Sequence, residues 1–208
     1  LPNPRTVKEC LRWVRSEAAR KQPGEWIFHP KLFPTRLREM QPPSLDELDD
    51  AAPDNPVFLN ASYGAMVNSA AFRASGIDED TRHSGLLRDT ASGRLSGRII
   101  HTAFGLIQRP KQPPVPEEKR AALLRALHRR YNSVGFTTAV SGGLHPEAVG
   151  LYDRLKRDGA MTIRAILNFY APFPVPGTSP DGMRAALDTL DSQSGDGDGW
   201  VTTGALKT

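Results

Sequence analysis

The sequence predicts an α/β protein built on a parallel sheet, and three observations in its second half carry that reading. Phe136–Val140, Met161–Phe169 and Val201–Lys207 are short apolar or β-branched runs of the kind that form buried strands. Two helical patterns separate them. Pro146–Arg157 places Ala148, Leu151, Tyr152 and Leu155 on one side, and Asp181–Leu190 holds Met183, Leu187 and Leu190 in register. Gly135 and Gly159 stand where helices should close. Strand, helix, strand, helix, strand implies parallel neighbours joined by right-handed crossovers.

Taken from its start, the chain first offers a helix over Thr6–Arg20, with Val7, Leu11, Val14 and Ala18 on one face and Cys10 beside them as a packing residue. Gly24 is placed to end it in a left-handed turn. Glu25–Phe28 reads as a short strand, followed by a rigid loop fixed by Pro30 and Pro34. Ser44 and Glu47 form a capping box, and the acids that follow suit a solvated helix start. Asn55–Ile77, NPVFLNASYGAMVNSAAFRASGI, reads as an apolar strand, a polar loop and a small-residue helix stopped at Gly76. Gly85–Asp89 and Gly93–Gly97 read as two strands around a turn at Ser92-Gly93, and Arg98–Gln108 as a helix. A proline-rich stretch, Pro110–Pro116, divides the chain. Behind it Glu117–Val134 is an amphipathic helix with Leu123, Leu127, Tyr131 and Val134 on one face and His128 on the solvated side.

Composition narrows the function classes. A 38% hydrophobic, 24% charged chain is an ordinary globular protein. No apolar run reaches membrane-spanning length, so no membrane role is expected. The net charge of +4 comes from basic residues interleaved with acids, which argues against nucleic acid as a partner. A single cysteine cannot pair within the chain and fits a reducing, cytoplasmic setting. The chain opens on Leu1, without an apolar leader, and reads as a fragment or a processed piece.

Three βα steps are too few for a closed eight-stranded barrel, which takes about 250 residues. Residue patterns alone leave a small open α/β sheet or a section of a barrel. Here a resemblance bears on the choice. Asn55–Ile77, the Gly85–Gly97 run GLLRD…GRLSG and the Gly204–Lys207 run GALK together resemble the YtcJ-like branch of the amidohydrolase superfamily, along nearly the whole chain. The resemblance implies a partial (β/α)8 TIM-type barrel, about strands two to four, in residues 117–208. It implies that residues 1–116 are a family-specific α/β elaboration inserted after the first barrel strand. The family's His-x-His pair would precede Leu1. A half-barrel exposes strand edges, so a possible homo-oligomer is part of this expectation.

In parallel barrels reactive groups sit at the C-terminal strand ends. That rule selects Ser141–Gly143, Asn168–Tyr170 and Lys207–Thr208. Ser141 lies outside a nucleophile elbow, so it and Asn168 are read as substrate-lining. None of the five histidines makes a zinc pattern. His29 and His145 border strands and are assigned to a pocket lining. His101, in Gly97-Arg-Ile-Ile-His, stands where the family usually has an acid, and Tyr63-Gly-Ala65 where many relatives have Gly-His. Both departures point to a different pocket. The Asp196-Gly-Asp198 loop fails the calcium pattern, because Trp200 and Lys207 fall where ligands are needed. Lys207 ends a short apolar strand where the superfamily places a carboxylated, metal-bridging lysine.

The resemblance therefore implies part of a hydrolase that cleaves amide-type C–N bonds of a small molecule, using one or two divalent metals, zinc foremost. The competing readings are a catalytically inactive binding or scaffold member of the same fold, and a small stand-alone α/β binding domain. Histidines upstream of Leu1 and His, His and Asp downstream of Thr208 in the open reading frame would separate them.

Overall fold

The computed structural model describes residues 3–110, 113–145, 148–170, 179–191 and 199–207, with side chains at 183, 186, 187, 189–191, 206 and 207 excepted. The chain divides into two compact units, Leu1–Gln112 and Pro113–Thr208.

In the first unit, helix α1 (Val7–Ala18) is capped by Thr6, whose hydroxyl accepts the Glu9 N–H at 3.1 Å. Strand β1 (Ile27–His29) follows, then α2 (Leu45–Ala51). The predicted capping box at α2 is formed: Ser44 accepts the Glu47 N–H and donates its own N–H to the Glu47 carboxylate. Strands β2 (Val57–Asn60), β3 (Gly64–Val67), β4 (Leu86–Arg88) and β5 (Leu95–Ile100) complete a sheet of order β1-β2-β3-β5-β4. Only β1 and β2 run parallel. Both faces of this sheet are covered, which is why β2 reads as an unbroken apolar run. Val57, Leu59 and Met66 pack with α1 and Leu48, whereas Phe58, Ala65, Val67 and Ile99 pack with Ala71 and Phe72. Cys10 is fully buried and burial pushes its thiol up to about 12, so it is a packing residue.

Two sequence expectations are corrected here. The polar loop after β2 is a hairpin turn, and Gly64–Val67 is a strand rather than the approach to a helix. Gly-Ala-Met-Val is too short and too mixed to carry much strand signal of its own. They are held by partners on both sides, with Ala65 opposite Asn60 and Ile99. Arg98–Gln108 is not a helix. Leu95, Gly97 and Ile99 alternate inward on β5, and only a 3-10 stretch, His101–Leu106, follows. Gly97 has φ +78, and a Cβ there would lie 2.7 Å from the Val67 carbonyl, so no other residue fits between β3 and β5.

The helix α3 (Ser69–Ala74) starts on Asn68, a fully buried amide. Its Oδ1 accepts the Val57 N–H at 2.9 Å and the Ala71 N–H at 3.0 Å. Its Nδ2 donates to Ala52 O at 2.8 Å and Asn55 O at 3.0 Å. One side chain thus joins the end of α2, the entry to β2 and the start of α3. Asp49 adds to this, accepting both the N–H and the hydroxyl of Ser69.

The second unit holds α4 (Glu117–Asn132), β6 (Thr138–Val140), α5 (Val149–Arg157), β7 (Arg164–Tyr170), α6 (Pro180–Asp191) and β8 (Val201–Lys207). The three strands are parallel and adjacent in the order β6-β7-β8, as the βα rhythm predicts. Leu155 of α5 and Ala121 of α4 pack on Ala165, Leu167 and Phe169 of β7. Arg154 ties the two helices by pairing with Glu117 and Glu118. The helical face of α6 expected from Met183, Leu187 and Leu190 lies outside the described side chains.

The expected face of α4 is corrected. Leu123 and Leu127 are 57% and 43% exposed, and the buried stripe is Ala121, half-buried Leu124 and His128. The stripe repeats at three and four residues like the expected one, offset around the helix, and small Ala121 lets α5 approach. His128 is therefore not solvated. It is 2% exposed, and its Nδ1 has no partner among the described residues. Burial pushes its pKa down. The unfolded chain then takes up the proton first, and this unit loses stability as pH falls below about 6.5, by at most about 1.4 kcal/mol per pH unit. His128→Leu is expected to flatten that slope between about pH 7 and about pH 5. Urea midpoints at the two pH values check it; a variant with undiminished acid sensitivity contradicts it.

Among the described residues no helix is long and apolar enough to cross a membrane.

Candidate functional site

The C-terminal ends of β6, β7 and β8 come together at one edge of the second unit's sheet, the position at which parallel α/β folds hold reactive groups. Ser141 directly follows β6. Its Oγ accepts the Asn168 N–H at 2.9 Å and lies 3.2 Å from the Asn168 carbonyl, to which it donates. The Leu144 N–H reaches the same carbonyl at 2.8 Å, and Tyr170 N–H returns to Leu144 O at 3.0 Å. Leu144 thereby forms a parallel bridge to Phe169. The serine hydroxyl and the 141–144 loop extend the ladder beyond β6, so the hydroxyl is engaged with backbone.

On the other side of β7 the pairing is irregular. Leu167 faces Thr203, but Phe169 faces Leu206. Asn168 alone stands opposite two residues, Gly204 and Ala205, which is a one-residue bulge in β8. The Asn168 Oδ1 accepts the Ala205 N–H at 2.8 Å. A Cβ on Gly204 would collide with that same Oδ1 and lie 2.8 Å from Ile166 Cγ2. Beyond the bulge, Lys207 stands opposite Tyr170. The exposed His145 ring lies 5.6 Å from the Tyr170 ring. Ser141, His145, Asn168 and Lys207 are thus gathered on the ends or connecting loop of adjacent strands.

His29 and His101 belong to the first unit. His29 is buried on β1, its ring edge-on to Trp13 at 5.0 Å, and its Nδ1 accepts the Lys31 N–H at 3.3 Å. His101 is exposed at the start of the 3-10 stretch, and its N–H donates to Tyr63 O at 3.0 Å. The sequence reading missed Gly204 and Ala205, although a glycine inside a strand pattern is itself a bulge signal.

A metal needs several converging donors. Among the described residues no three of His, Cys, Asp and Glu are grouped to hold one. These residues do not make a metal centre by themselves. The 196–198 loop lies outside the described residues.

The sequence model of the amidohydrolase family matches residues 1–208. An N-substituted formamide deformylase from Arthrobacter pascens is 28% identical over 163 residues, covering 75% of this chain and 30% of that protein. Two solved structures align over most of the chain. An uncharacterized metal-dependent hydrolase from Pyrococcus horikoshii OT3 gives a TM-score of 0.48 at 17% identity, over 99% of this chain and 37% of the other. One from Pyrococcus furiosus gives 0.45 at 15% identity, over 97% and 38%. The chain therefore spans about 30% of the length of the curated relative it matches.

Proposed function

The chain belongs to the amidohydrolase family, and from that premise we propose that it is part of a metal-dependent hydrolase of the YtcJ-like branch that cleaves an amide-type C–N bond of a small molecule. The observation that carries this reading is the parallel order β6-β7-β8 with Lys207 at the C-terminal end of β8, beside Ser141, Asn168 and Tyr170. In this reading residues 117–208 are βα units two to four of a (β/α)8 barrel, and residues 1–116 are the elaboration that follows the first barrel strand. The single, buried Cys10 supports a reducing, cytoplasmic setting.

In this reading Lys207 would contribute one ligand, and the remaining ligands would have to come from outside the described residues. When bound, one or two divalent ions, zinc foremost, supply Lewis acidity and an acidified water. The strand ends of this chain hold the lysine and line the substrate. The bond type is carried by the relative's name, an N-substituted formamide deformylase. His145 completes the proposed lining at these strand ends, and a possible homo-oligomer belongs to the same reading.

The full-length protein is expected to release the amine from N-substituted formamides, to lose that activity to a chelator and to regain it with a divalent metal. Amine release followed before and after chelation checks this. A metal-free protein with no turnover would favour the rival reading, a catalytically inactive binding or scaffold member of the fold.

A further inference from the structure

We propose that Asn168 is a positioning residue, whose side chain holds the bulge in β8 and so decides which side of the sheet position 207 takes. The inference rests on the preceding reading for its consequence, because a ligand must reach the open side of the strand ends. It follows from strand parity. On β7, Ala165, Leu167 and Phe169 are buried toward the helices, while Arg164, Ile166, Asn168 and Tyr170 alternate to the other side. Directly opposed residues of neighbouring strands share a side. A regular ladder continued from the Leu167–Thr203 pair would set Leu206 opposite Tyr170 and carry position 207 to the helix side. The observed ladder sets Lys207 opposite Tyr170, on the open side. One extra residue inverts the parity of everything after it.

Three features hold that extra residue in place. The Asn168 Oδ1 takes the Ala205 N–H, which the bulge removes from the regular ladder. Gly204 leaves the space that this oxygen occupies. Ser141 fixes the Asn168 backbone from the β6 side through both its N–H and its carbonyl. Asn168 is therefore bound on both flanks and acts on position 207 through β8. A carboxylate at 168 preserves the acceptor; an aliphatic side chain does not.

The test is thiol labelling in the full-length protein of cysteines placed one at a time by Leu206→Cys and Lys207→Cys. With Asn168 present, position 207 is expected to label faster than position 206. Asn168→Leu, and independently Gly204→Ala, are expected to reverse that order, and Asn168→Asp to keep it. Amide exchange at Ala205 should quicken about fivefold in Asn168→Leu, the loss of one net hydrogen bond, and stay slow in Asn168→Asp. An unchanged labelling order in Asn168→Leu and Gly204→Ala overturns the proposal, as does a reversed order in Asn168→Asp. If one variant fails to fold, the other two still decide. Labelling is read with a chelator present, so its order does not depend on metal. A Lys207→Arg protein with undiminished metal would instead sink the metal reading and leave this one standing.

Discussion

Asn68→Ala is expected to destabilise the first unit by about 3–5 kcal/mol, enough to take much of the stability of a domain of this size. The substitution leaves the N–H groups of Val57 and Ala71 and the carbonyls of Ala52 and Asn55 without their partner in a place water does not reach. Each unsatisfied buried group costs about 1–3 kcal/mol, and partial relaxation of the loop offsets some of the sum. Asn68→Asp should be as damaging. It keeps the two acceptor contacts but turns a second carboxylate oxygen toward two carbonyls, with no room for solvent. Urea unfolding of the first unit checks both, and a loss below about 1 kcal/mol would contradict the assignment. This gives the Val67-Asn68-Ser69-Ala70 run, which carries much of the resemblance, a structural role: it knots α2, β2 and α3 together.

Lys207→Ala is expected to abolish turnover in the full-length protein, by more than the 10- to 100-fold that loss of an outer-shell partner to a metal ligand causes. A free lysine ammonium has a pKa of about 10.4 and repels a cation. In the proposed barrel, desolvation would disfavour the charged form. The neutral amine nitrogen can then attack carbon dioxide, forming an N–C bond and releasing a proton, which leaves a carbamate anion. A cation has become a long carboxylate able to contribute oxygens to one or two metals. Short carboxylic acids should partly restore activity to Lys207→Ala by filling the same place. Initial rates with and without added acid check this, and a variant with undiminished rates would make Lys207 a surface lysine.

The second unit was the more legible in sequence, and the reason is locality. Its strands are joined in turn by α5 and α6, so neighbours in sequence are neighbours in the sheet. Strand β8 was placed at Val201–Lys207 from its residues alone, and the capping box at Ser44 is equally local. The failures are non-local. Strand β3 exists because β2 and β5 lie on either side of it, and no property of Gly-Ala-Met-Val announces those partners. The Ile99-Ile100 pair follows an Arg in a helix-compatible window, and only sheet pairing decides it. On α4 two stripes of the same period compete. The longer aliphatic one, Leu123 and Leu127, lost to Ala121 and His128, because close approach of α5 favours the small residue. Of the site, the strand-end rule found Ser141, Asn168 and Lys207 together, as the structure places them on adjacent ends. What it could not supply is the parity of β8, since one bulge residue moves every later side chain to the opposite face. His29 and His101 were chosen for their chemistry alone, and the sequence held nothing that fixed their distance from the strand ends.

The central claim, that Lys207 carries a metal ligand in an amidohydrolase, is tested most directly by the metal content of the full-length protein and its Lys207→Arg variant. Arginine keeps the charge but stays protonated, so it cannot form the carbamate. The account predicts one or two divalent ions per chain in the unmutated protein and loss of metal in the variant. Equal metal in both would contradict it.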